Sequence, residues 1–248
     1  MLKKRVIPVV LIDGFSVIKT IKFNVRRNLG SPITVMRTYN TRNVDEMIIL
    51  DIDASKQSRS IDKFIIQEIT SDCFMPLTVG GGVCNLTDIE DLLKSGADKV
   101  SINTRALQDI NFIDKAASVF GSQCIVGSVD IIKASGDYRI YQGGKVIFDK
   151  TIQQHIHELV ESGVGELLIT NVDRDGTMEG LDLDIDFLNE LSVPVIFSGG
   201  TNGPHDAFAA FSNLGVDALG VSSLFHFTST TPNEISKFVN NLGIPARF

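Results

Sequence analysis

Glycines and small hydroxyl side chains follow four apolar runs of the chain. "VGGG" (79–82) and "SGGT" (198–201) end two of these runs, and "SINT" (101–104) and "VSS" (221–223) end two others. Glycine lets a backbone approach a ligand closely, and successive backbone N–H groups can bind phosphate oxygens. A lone Gly-Gly pair indicates no more than a tight turn, but two related groups predict two phosphate sites. The substrate would then be elongated, with a phosphate at each end.

Carboxylates also follow apolar runs. Asp130 comes directly after the apolar stretch "CIVGSV", so burial would raise its pKa and suit it to acid/base catalysis. The same side chain could equally be a structural hydrogen-bond anchor, and the residues alone leave both interpretations open. The other carboxylates in such positions are Asp13, Asp51, Asp173 and Asp175.

The elements that must position these residues alternate along the chain. Eight apolar, β-branched runs predict strands, and amphipathic patterns between them, as at 88–98 and 152–165, predict helices that end at glycines. Continuous apolar runs are typical of parallel strands covered on both faces. Eight βα repeats in about 250 residues predict one (β/α)8 TIM barrel. The predicted strands are 6–12, 46–52, 76–80, 98–103, 124–130, 166–172, 194–199 and 218–223.

The two halves of the sequence resemble each other. Asp53 and Asp173 lie in matching segments 120 residues apart, and Gly81 and Gly200 lie in matching segments 119 residues apart. We therefore predict a single barrel that is built from two similar half-barrels. The predicted boundaries are 1–248 for the barrel, about 1–120 and 121–248 for the halves, and about 133–150 for a hairpin inserted around a Gly-Gly pair.

Charge and cysteine content exclude several classes of protein. The net charge is −7, and no Lys/Arg run is longer than "KKR" at the start, which argues against nucleic-acid binding. No apolar stretch approaches the roughly 20 residues of a membrane span, and the short apolar start runs into Asp13 without a signal-peptide cleavage site. Cys73, Cys84 and Cys124 lack metal spacing and fit structural thiols in a reducing compartment. We expect a cytoplasmic protein.

Metal and cofactor signatures are missing from the sequence. His155 and His157 are two residues apart on a predicted helix, so they point to different faces and make poor metal ligands. His205 falls near a predicted helix start and His226 follows the eighth predicted strand. The dinucleotide fingerprint G-x-G-x-x-G is absent as well. We expect neither a metal nor a cofactor.

Four charged residues lie at the opposite, amino ends of predicted strands. Two cations and two anions that converge on the floor of a barrel could form an ion-paired ring. Residues on this face usually serve stability, and a plug or gate to the barrel interior is the alternative. The four residues are Arg5, Glu46, Lys99 and Glu166.

Motifs along essentially the whole chain resemble one enzyme family. "TVGGG", "GADKVSINT", "FGSQ", "DRDGTMEG", "SGG" and "FHF", in this order and spacing, resemble the cyclase subunit of imidazole glycerol phosphate synthase. "DRDGT" also occurs in the sister isomerase of that pathway. The resemblance implies a (β/α)8 barrel with a glutaminase, a class I amidotransferase, docked on its floor. Ammonia would cross the barrel to a bis-phosphorylated substrate, where lyase and ring-closing steps follow.

The resemblance also assigns roles to matching residues. Asp130 matches one of two catalytic carboxylates, and Lys19, which we also predict to be catalytic, matches a lysine in a mobile first loop. Gly82, Asn103 and Thr104 match one phosphate site. The family's ammonia gate matches Arg5, Glu46, Lys99 and Glu166, and the other phosphate site matches Asp175, Gly176, Gly200, Thr201, Ser222 and Ser223.

The first predicted strand departs from the family pattern. The family's strand ends like Leu-Asp-Val-Lys-Asp-Gly, with a general acid/base three residues before the Asp of Asp-Gly. Here that position is Val10, or Leu11 if the gap is placed elsewhere, and neither can move a proton. Asp13 would then match the second acid and share the proton transfer with Asp130. A general acid/base typically contributes about 10²–10⁴-fold, so the loss bears directly on turnover.

Several functions therefore remain open from the sequence. The chain could be a working cyclase of histidine biosynthesis, which the phosphate motifs favour. It could be a paralogue that pairs with a glutaminase to amidate a surface-polysaccharide sugar, which the missing acid favours. A non-catalytic partner that binds a phosphate ligand, activates a glutaminase and relays ammonia is the alternative from another class. A sugar-phosphate isomerase would need the same missing acid.

Overall fold

The computed structural model describes residues 3–42, 44–72, 74–188 and 191–247. Within them, the strands are β1 (Arg5–Asp13), β2 (Ser16–Ile21), β3 (Val25–Gly30), β4 (Met47–Asp51), β5 (Leu77–Gly80), β6 (Lys99–Ile102), β7 (Ile125–Ala134), β8 (Asp137–Gln142), β9 (Lys145–Ile147), β10 (Glu166–Asn171), β11 (Val195–Ser198) and β12 (Ala218–Val221). The helices are α1 (Pro32–Thr41), α2 (Lys63–Ser71), α3 (Leu86–Lys94), α4 (Thr104–Gln108), α5 (Asn111–Phe120), α6 (Ile152–Glu161), α7 (Pro204–Asn213), α8 (Ser223–Phe227) and α9 (Pro232–Asn241).

Eight parallel strands close into a barrel. β1 pairs with β4, and the pairing continues through β5, β6, β7, β10, β11 and β12, which returns to β1. The predicted (β/α)8 barrel is confirmed. All eight predicted strands exist with ends within two residues of the prediction, except that β7 continues to Ala134. This extra length leads into a hairpin.

The period-two alternation of β1 separates the barrel interior from the layer beneath the helices. Leu11 belongs to a buried cluster drawn from strands all around the barrel, which is the lumen. Val10 belongs to the larger cluster that includes the helix side chains. Of the two residues that the sequence left open at the position of the family's first acid, Leu11 is therefore the one that faces the lumen.

The helices between the strands begin and end where the sequence signals them. At the start of α3, Asn85 Oδ1 accepts a hydrogen bond from the Asp88 backbone N–H at 2.9 Å, and the Asp88 carboxylate accepts from the Asn85 N–H at 3.1 Å. Beyond its end, Gly96 has a φ of +102°, which favours glycine. α6 begins in the same way at Thr151 and is followed by Gly163 at φ +91°. The glycine helix ends are confirmed.

Two hairpins extend the mouth of the barrel, where the strands have their carboxyl ends. β2 and β3 follow β1, and β8 and β9 follow β7, with antiparallel pairing in each. The rings of Phe23 and Tyr141 lie 6.2 Å apart between centroids, so the two hairpins meet. Lys19, which the resemblance places in the first loop, lies in the connection between β1 and α1, where β-branched neighbours such as Val17 and Thr20 form the regular strand β2.

The glycine pairs after β5 and β11 make equivalent turns. A Cβ atom on Gly81 (φ +125°) would lie 2.5 Å from the Asp51 carbonyl oxygen, and one on Gly199 (φ +119°) would lie 2.6 Å from that of Asn171. Only glycine allows such an approach. The equivalence agrees with the internal repeat of the sequence, while the half-barrel boundary near residue 120 stays a prediction.

Candidate active site

The floor of the barrel holds a closed ring of four ion pairs. Arg5 donates to Glu46 Oε2 at 2.8 Å and to Glu166 Oε1 at 2.6 Å. Lys99 Nζ donates to the other oxygens of the same carboxylates, at 2.7 Å each. Each charge therefore contacts both opposite charges. The four residues start β1, β6 and β10 or directly precede β4, so the ring crosses the amino ends of the strands.

Attraction within this ring outweighs the cost of burial. Burial alone would lower the pKa of Lys99, but Glu166 and Glu46 raise it above its ordinary value. Burial alone would raise the pKa of Glu46, but Lys99 and Arg5 hold it below its usual range. Both shifts favour the charged forms of Lys99 and Glu46. The role of the ring as a gate stays a prediction.

Above the ring, the lumen has an apolar side and a polar side. On the side of β1 and β4 the lumen is lined by apolar members of the buried cluster such as Ile48 and Leu11, and the cluster continues around the barrel through Val126 and Leu168. Thr78 pairs in register with Ile48 and Lys99, so it faces the lumen directly above the ring. Its hydroxyl is buried and has no hydrogen-bond partner among the described residues. Alternation from Lys99, Val126 and Leu168 places further hydroxyls on this polar side: Ser101, Ser128 and Thr170.

Asp130 is the carboxylate at the mouth whose properties suit proton transfer. It lies two residues beyond Ser128 on β7, and Asn103 Nδ2 donates to its Oδ2 at 2.8 Å. The pKa of Asp130 is raised to about 7, mainly by burial; the Asn103 hydrogen bond opposes the rise and the nearby charge of Asp175 adds to it. A carboxyl group that titrates near neutral pH can both give and take a proton.

The other carboxylates of the mouth are engaged by donors. Asp13 lies 3.4 Å from Arg26 and remains partly exposed, and Asp51 accepts from Arg59 at 2.7 Å. Asp173 accepts from the Lys133 backbone N–H at 2.7 Å. These contacts give Asp13 and Asp51 cationic partners, whereas Asp130 has an amide. The geometry favours Asp130 over Asp13 for acid/base catalysis.

One cavity, called the second cavity after the second phosphate, gathers the residues that the family resemblance assigned to that phosphate. Lys19 also lines it, and its Nζ lies 3.1 Å from Asp175 Oδ1. Thr20 Oγ1 donates to the other oxygen of Asp175 at 2.6 Å. The assigned lining residues are Asp175, Gly176, Gly200, Thr201, Ser222 and Ser223. The three hydroxyl oxygens in this set are buried and without partners among the described residues, so cation and hydroxyls together suit an anion.

The residues assigned to the first phosphate are held differently. Asn103 contacts Asp130, and the Thr104 hydroxyl accepts from Gln142 Nε2 at 2.6 Å. Gly82 has a φ of +67° and packs so closely under a neighbouring loop that a Cβ atom would lie 1.7 Å from the Arg59 carbonyl oxygen. The lack of space for a Cβ atom explains why glycine is required at position 82. Contact of Gly82 with a phosphate stays a prediction.

Comparison with known proteins identifies the family of the chain. Residues 5–231 match the family model described as "Histidine biosynthesis protein". A Campylobacter jejuni protein with the provisional name imidazole glycerol phosphate synthase subunit hisF2 is 44% identical over 100% of this chain and 99% of its own. Imidazole glycerol phosphate synthase subunit HisF is 39% identical in Dictyoglomus thermophilum and 37% in Helicobacter hepaticus, with at least 99% of each chain covered. The chain belongs to the HisF family.

HisF proteins are cyclase subunits of imidazole glycerol phosphate synthase, and the family resemblance predicted from the motifs is confirmed. The matches run over full length, so they include both the floor ring and the mouth. The described part of the chain contains no helix long and apolar enough to cross a membrane. It also contains no cluster of three or more His, Cys, Asp or Glu side chains that could hold a metal ion.

The histidines and cysteines of this HisF-family chain have no assigned catalytic role, although two of them lie near mouth residues. Burial and the charge of Lys19 lower the pKa of His226 to about 4, and the Cys84 thiol donates to the Gly82 carbonyl oxygen at 3.1 Å. His155 is buried in α6, and burial lowers its pKa to about 4, so it is neutral. Cys84 and Cys124 are free thiols. Cys73 lies outside the described residues. None of these observations gives a cysteine or histidine a catalytic role.

Two functional contacts at the mouth were missed by sequence reasoning. Arg26 on β3 donates to both carboxylate oxygens of Asp53 and so ties the first hairpin to the end of β4. Gln142 joins the second hairpin to Thr104. Neither contact has a sequence signal, because both depend on where hairpins fold back in space.

Proposed function

We propose that this chain is the ammonia-accepting synthase subunit of an imidazole glycerol phosphate synthase-type complex. A glutaminase docks on the floor, ammonia passes through the ring and the lumen, and a bis-phosphorylated substrate lies across the mouth. The supporting observation is the alignment of three features along one axis: the ion ring, the hydroxyl-lined side of the lumen, and Asp130 at the far end.

Entry of ammonia requires one ion pair of the floor ring to open. Lys99 is the natural moving part, since its side chain is 23% exposed against 12% for Arg5 and carries its charge on a flexible stem. When Lys99 leaves, both carboxylates keep Arg5 as a partner. Ammonia then travels as the neutral molecule, because an ammonium ion would have to shed its hydration in the lumen. Thr78 offers the first hydrogen bond above the ring.

At the mouth, the second cavity anchors one phosphate through Lys19 and its hydroxyls. The other end of the substrate reaches Asn103 and Thr104, which brings its centre over the lumen and next to Asp130. Ammonia attacks there, and Asp130 gives a proton to the leaving amine and can take one from the attacking nitrogen. A pKa near 7 suits a group that must do both.

The direct test uses the purified chain with an ammonium salt at mildly alkaline pH. The probe is the bis-phosphorylated formimino-aminoimidazole substrate of the family, and its loss is followed optically. We expect turnover that Asp130→Asn abolishes, while Asp13→Asn retains most of it. Absence of both binding and turnover, or turnover that survives Asp130→Asn, would contradict the proposal.

One observation favours a second function. Leu11 faces the lumen on β1. The motif resemblance predicts an acid at this position, and without it the chain would have one proton-transfer group fewer for its own turnover. We infer a second candidate in which the chain binds the phosphate ligand, activates the glutaminase and relays ammonia to a third protein, such as one that amidates a surface-polysaccharide sugar. Ligand-stimulated glutaminase activity without ligand consumption would support it. Growth of a histidine auxotroph that lacks its own cyclase would instead assign the chain to histidine biosynthesis.

A further inference from the structure

Gln142, the last residue of β8, carries a buried polar atom without a partner. Its Nε2 donates to Thr104 Oγ1 at 2.6 Å, but its Oε1 is buried and has no hydrogen-bond partner among the described residues. Native proteins pair almost all buried polar atoms. An amide held firmly at one end and unpaired at the other, beside a predicted ligand site, indicates that the ligand supplies the missing donor.

The contact with Gln142 also sets the direction in which Thr104 can donate. A threonine hydroxyl has one proton to give and two lone pairs. One lone pair accepts from Gln142, and no described residue accepts the proton. The proton is therefore free for an anion at the mouth, and a hydroxyl that already accepts a hydrogen bond donates more strongly.

We propose that Gln142 is a specificity-determining residue of the mouth. It positions the Thr104 hydroxyl toward a phosphate, and its own Oε1 accepts a hydrogen bond from a hydroxyl group that neighbours this phosphate in the ligand. This inference rests on the proposed function, which brings a phosphate to Thr104. The ligand class is the phosphate ester of a polyol or open-chain sugar.

The chemistry of the amide selects this class. Nε2 and Oε1 of Gln142 belong to one amide and lie close together. The group that donates a hydrogen bond to Oε1 must therefore lie near the phosphate that Thr104 binds. Gln142 is neutral, and a buried ammonium group would need a counter-charge that the amide cannot offer. A neutral hydroxyl group of the ligand can donate to the neutral Oε1 of Gln142 without a counter-charge.

A matched pair of small probes separates the two hydrogen bonds. Glycerol 3-phosphate has hydroxyls beside its phosphate, and n-propyl phosphate has the same carbon skeleton without them. NMR titration that follows the Thr104 backbone amide reports binding at this site rather than at the second cavity. One net hydrogen bond corresponds to roughly a threefold to tenfold preference for glycerol 3-phosphate.

Gln142→Met keeps the length of the side chain and removes both polar atoms. We expect it to abolish the preference between the two esters and to weaken both. Lys145→Ala is the control, because Lys145 is the exposed cross-strand neighbour of Gln142 in the same hairpin. A preference that survives Gln142→Met would overturn the assignment, as would equal binding of both esters to the unmodified chain. If neither ester perturbs Thr104, the first phosphate site of the proposed function fails instead.

A double-mutant cycle tests the positioning role. If Gln142 acts on the phosphate through Thr104, Gln142→Met weakens n-propyl phosphate binding in the original chain but has no further effect in a Thr104→Val background. With the full bis-phosphorylated substrate, Gln142→Met should raise KM and leave kcat nearly unchanged. Additive losses in the cycle, or a fall in kcat at constant KM, would contradict this role.

Discussion

At the floor of the barrel, two buried carboxylates and two partly buried cations satisfy one another, and every carboxylate oxygen of Glu46 and Glu166 has a cation within 2.8 Å. At the mouth, Asp130 has an amide for a partner, and three hydroxyls of the second cavity have none among the described residues. The floor network is complete without a ligand, so it can close the lumen. The unsatisfied groups of the mouth are the ones that a substrate can complete.

The largest effect should come from breaking the mouth at Asp130. Asp130→Asn keeps the shape of the side chain and its contact with Asn103 but removes the titrating group. Loss of a general acid/base typically costs about 10²–10⁴-fold in rate, so we expect ammonium-driven turnover to fall by that factor. Steady-state kinetics measures this. A rise in KM with kcat retained would show instead that Asp130 serves as an anchor.

The next effect concerns the apolar side of the lumen at Leu11. Leu11→Asp adds an acid that faces the lumen, and we expect turnover to rise about 10²-fold, the lower end of what an acid/base supplies. Leu11→Asn is the matched control, because it brings the same size and polarity without a proton to move. Both should lower the melting temperature, since each buries a polar group among apolar neighbours. Equal kinetics for the two variants would show that an acid here is not what limits turnover.

A smaller effect is expected from opening the floor ring. In Lys99→Met, Glu46 and Glu166 both keep Arg5, so the loss of stability should stay near 1–2 kcal/mol, below the 3–5 kcal/mol typical when a buried charge loses its only partner. The ratio of glutamine consumed to product formed should rise several-fold in the complex. Lys94→Met, which removes an exposed ion pair on α3, is the control. Unchanged coupling together with a large drop in melting temperature would leave the ring a stabilising device alone.

The last prediction concerns the pH dependence of stability at the mouth. The pKa of Asp130 is raised to about 7 in the folded chain and is ordinary when the chain is unfolded, so the folded state binds the extra proton between about pH 4 and 7. Stability from this group is present at low pH and is lost as pH rises through 7. Asp130→Asn should therefore become more stable relative to the original chain as pH rises from 4 to 8. Denaturant unfolding at several pH values measures the difference, and a constant difference would refute the raised pKa.

Sequence reasoning reached the barrel because its signals are local. Each barrel strand is a continuous apolar run, and each hairpin turn of β7–β9 contains glycine at positive φ, as at Gly143 and Gly144. The β2–β3 hairpin gave no such signal, because its turn residues Lys22 and Phe23 adopt φ of +51° and +56° without glycine.

The site was predictable in part for the same reason. Residues at strand ends, such as Asp130 and Lys99, follow from the strands, and their location did not need the structure. The environment of Asp130 required the structure, since its burial and its hydrogen bond from the Asn103 amide are not visible in the sequence. Contacts made by hairpin residues, such as Gln142 with Thr104, join segments far apart in sequence and became visible only in three dimensions.

The most direct measurement follows nitrogen through the reconstituted complex with its glutaminase. Glutamine labelled with 15N in the amide is supplied together with excess unlabelled ammonium, and the 15N content of the product is determined by mass spectrometry. If ammonia passes from the floor ring to Asp130 inside the barrel, the product carries 15N far above the bulk ammonium, and Lys99→Met lowers it toward the bulk value. Product from the unmodified complex with the same 15N content as the bulk ammonium would contradict transfer through the barrel.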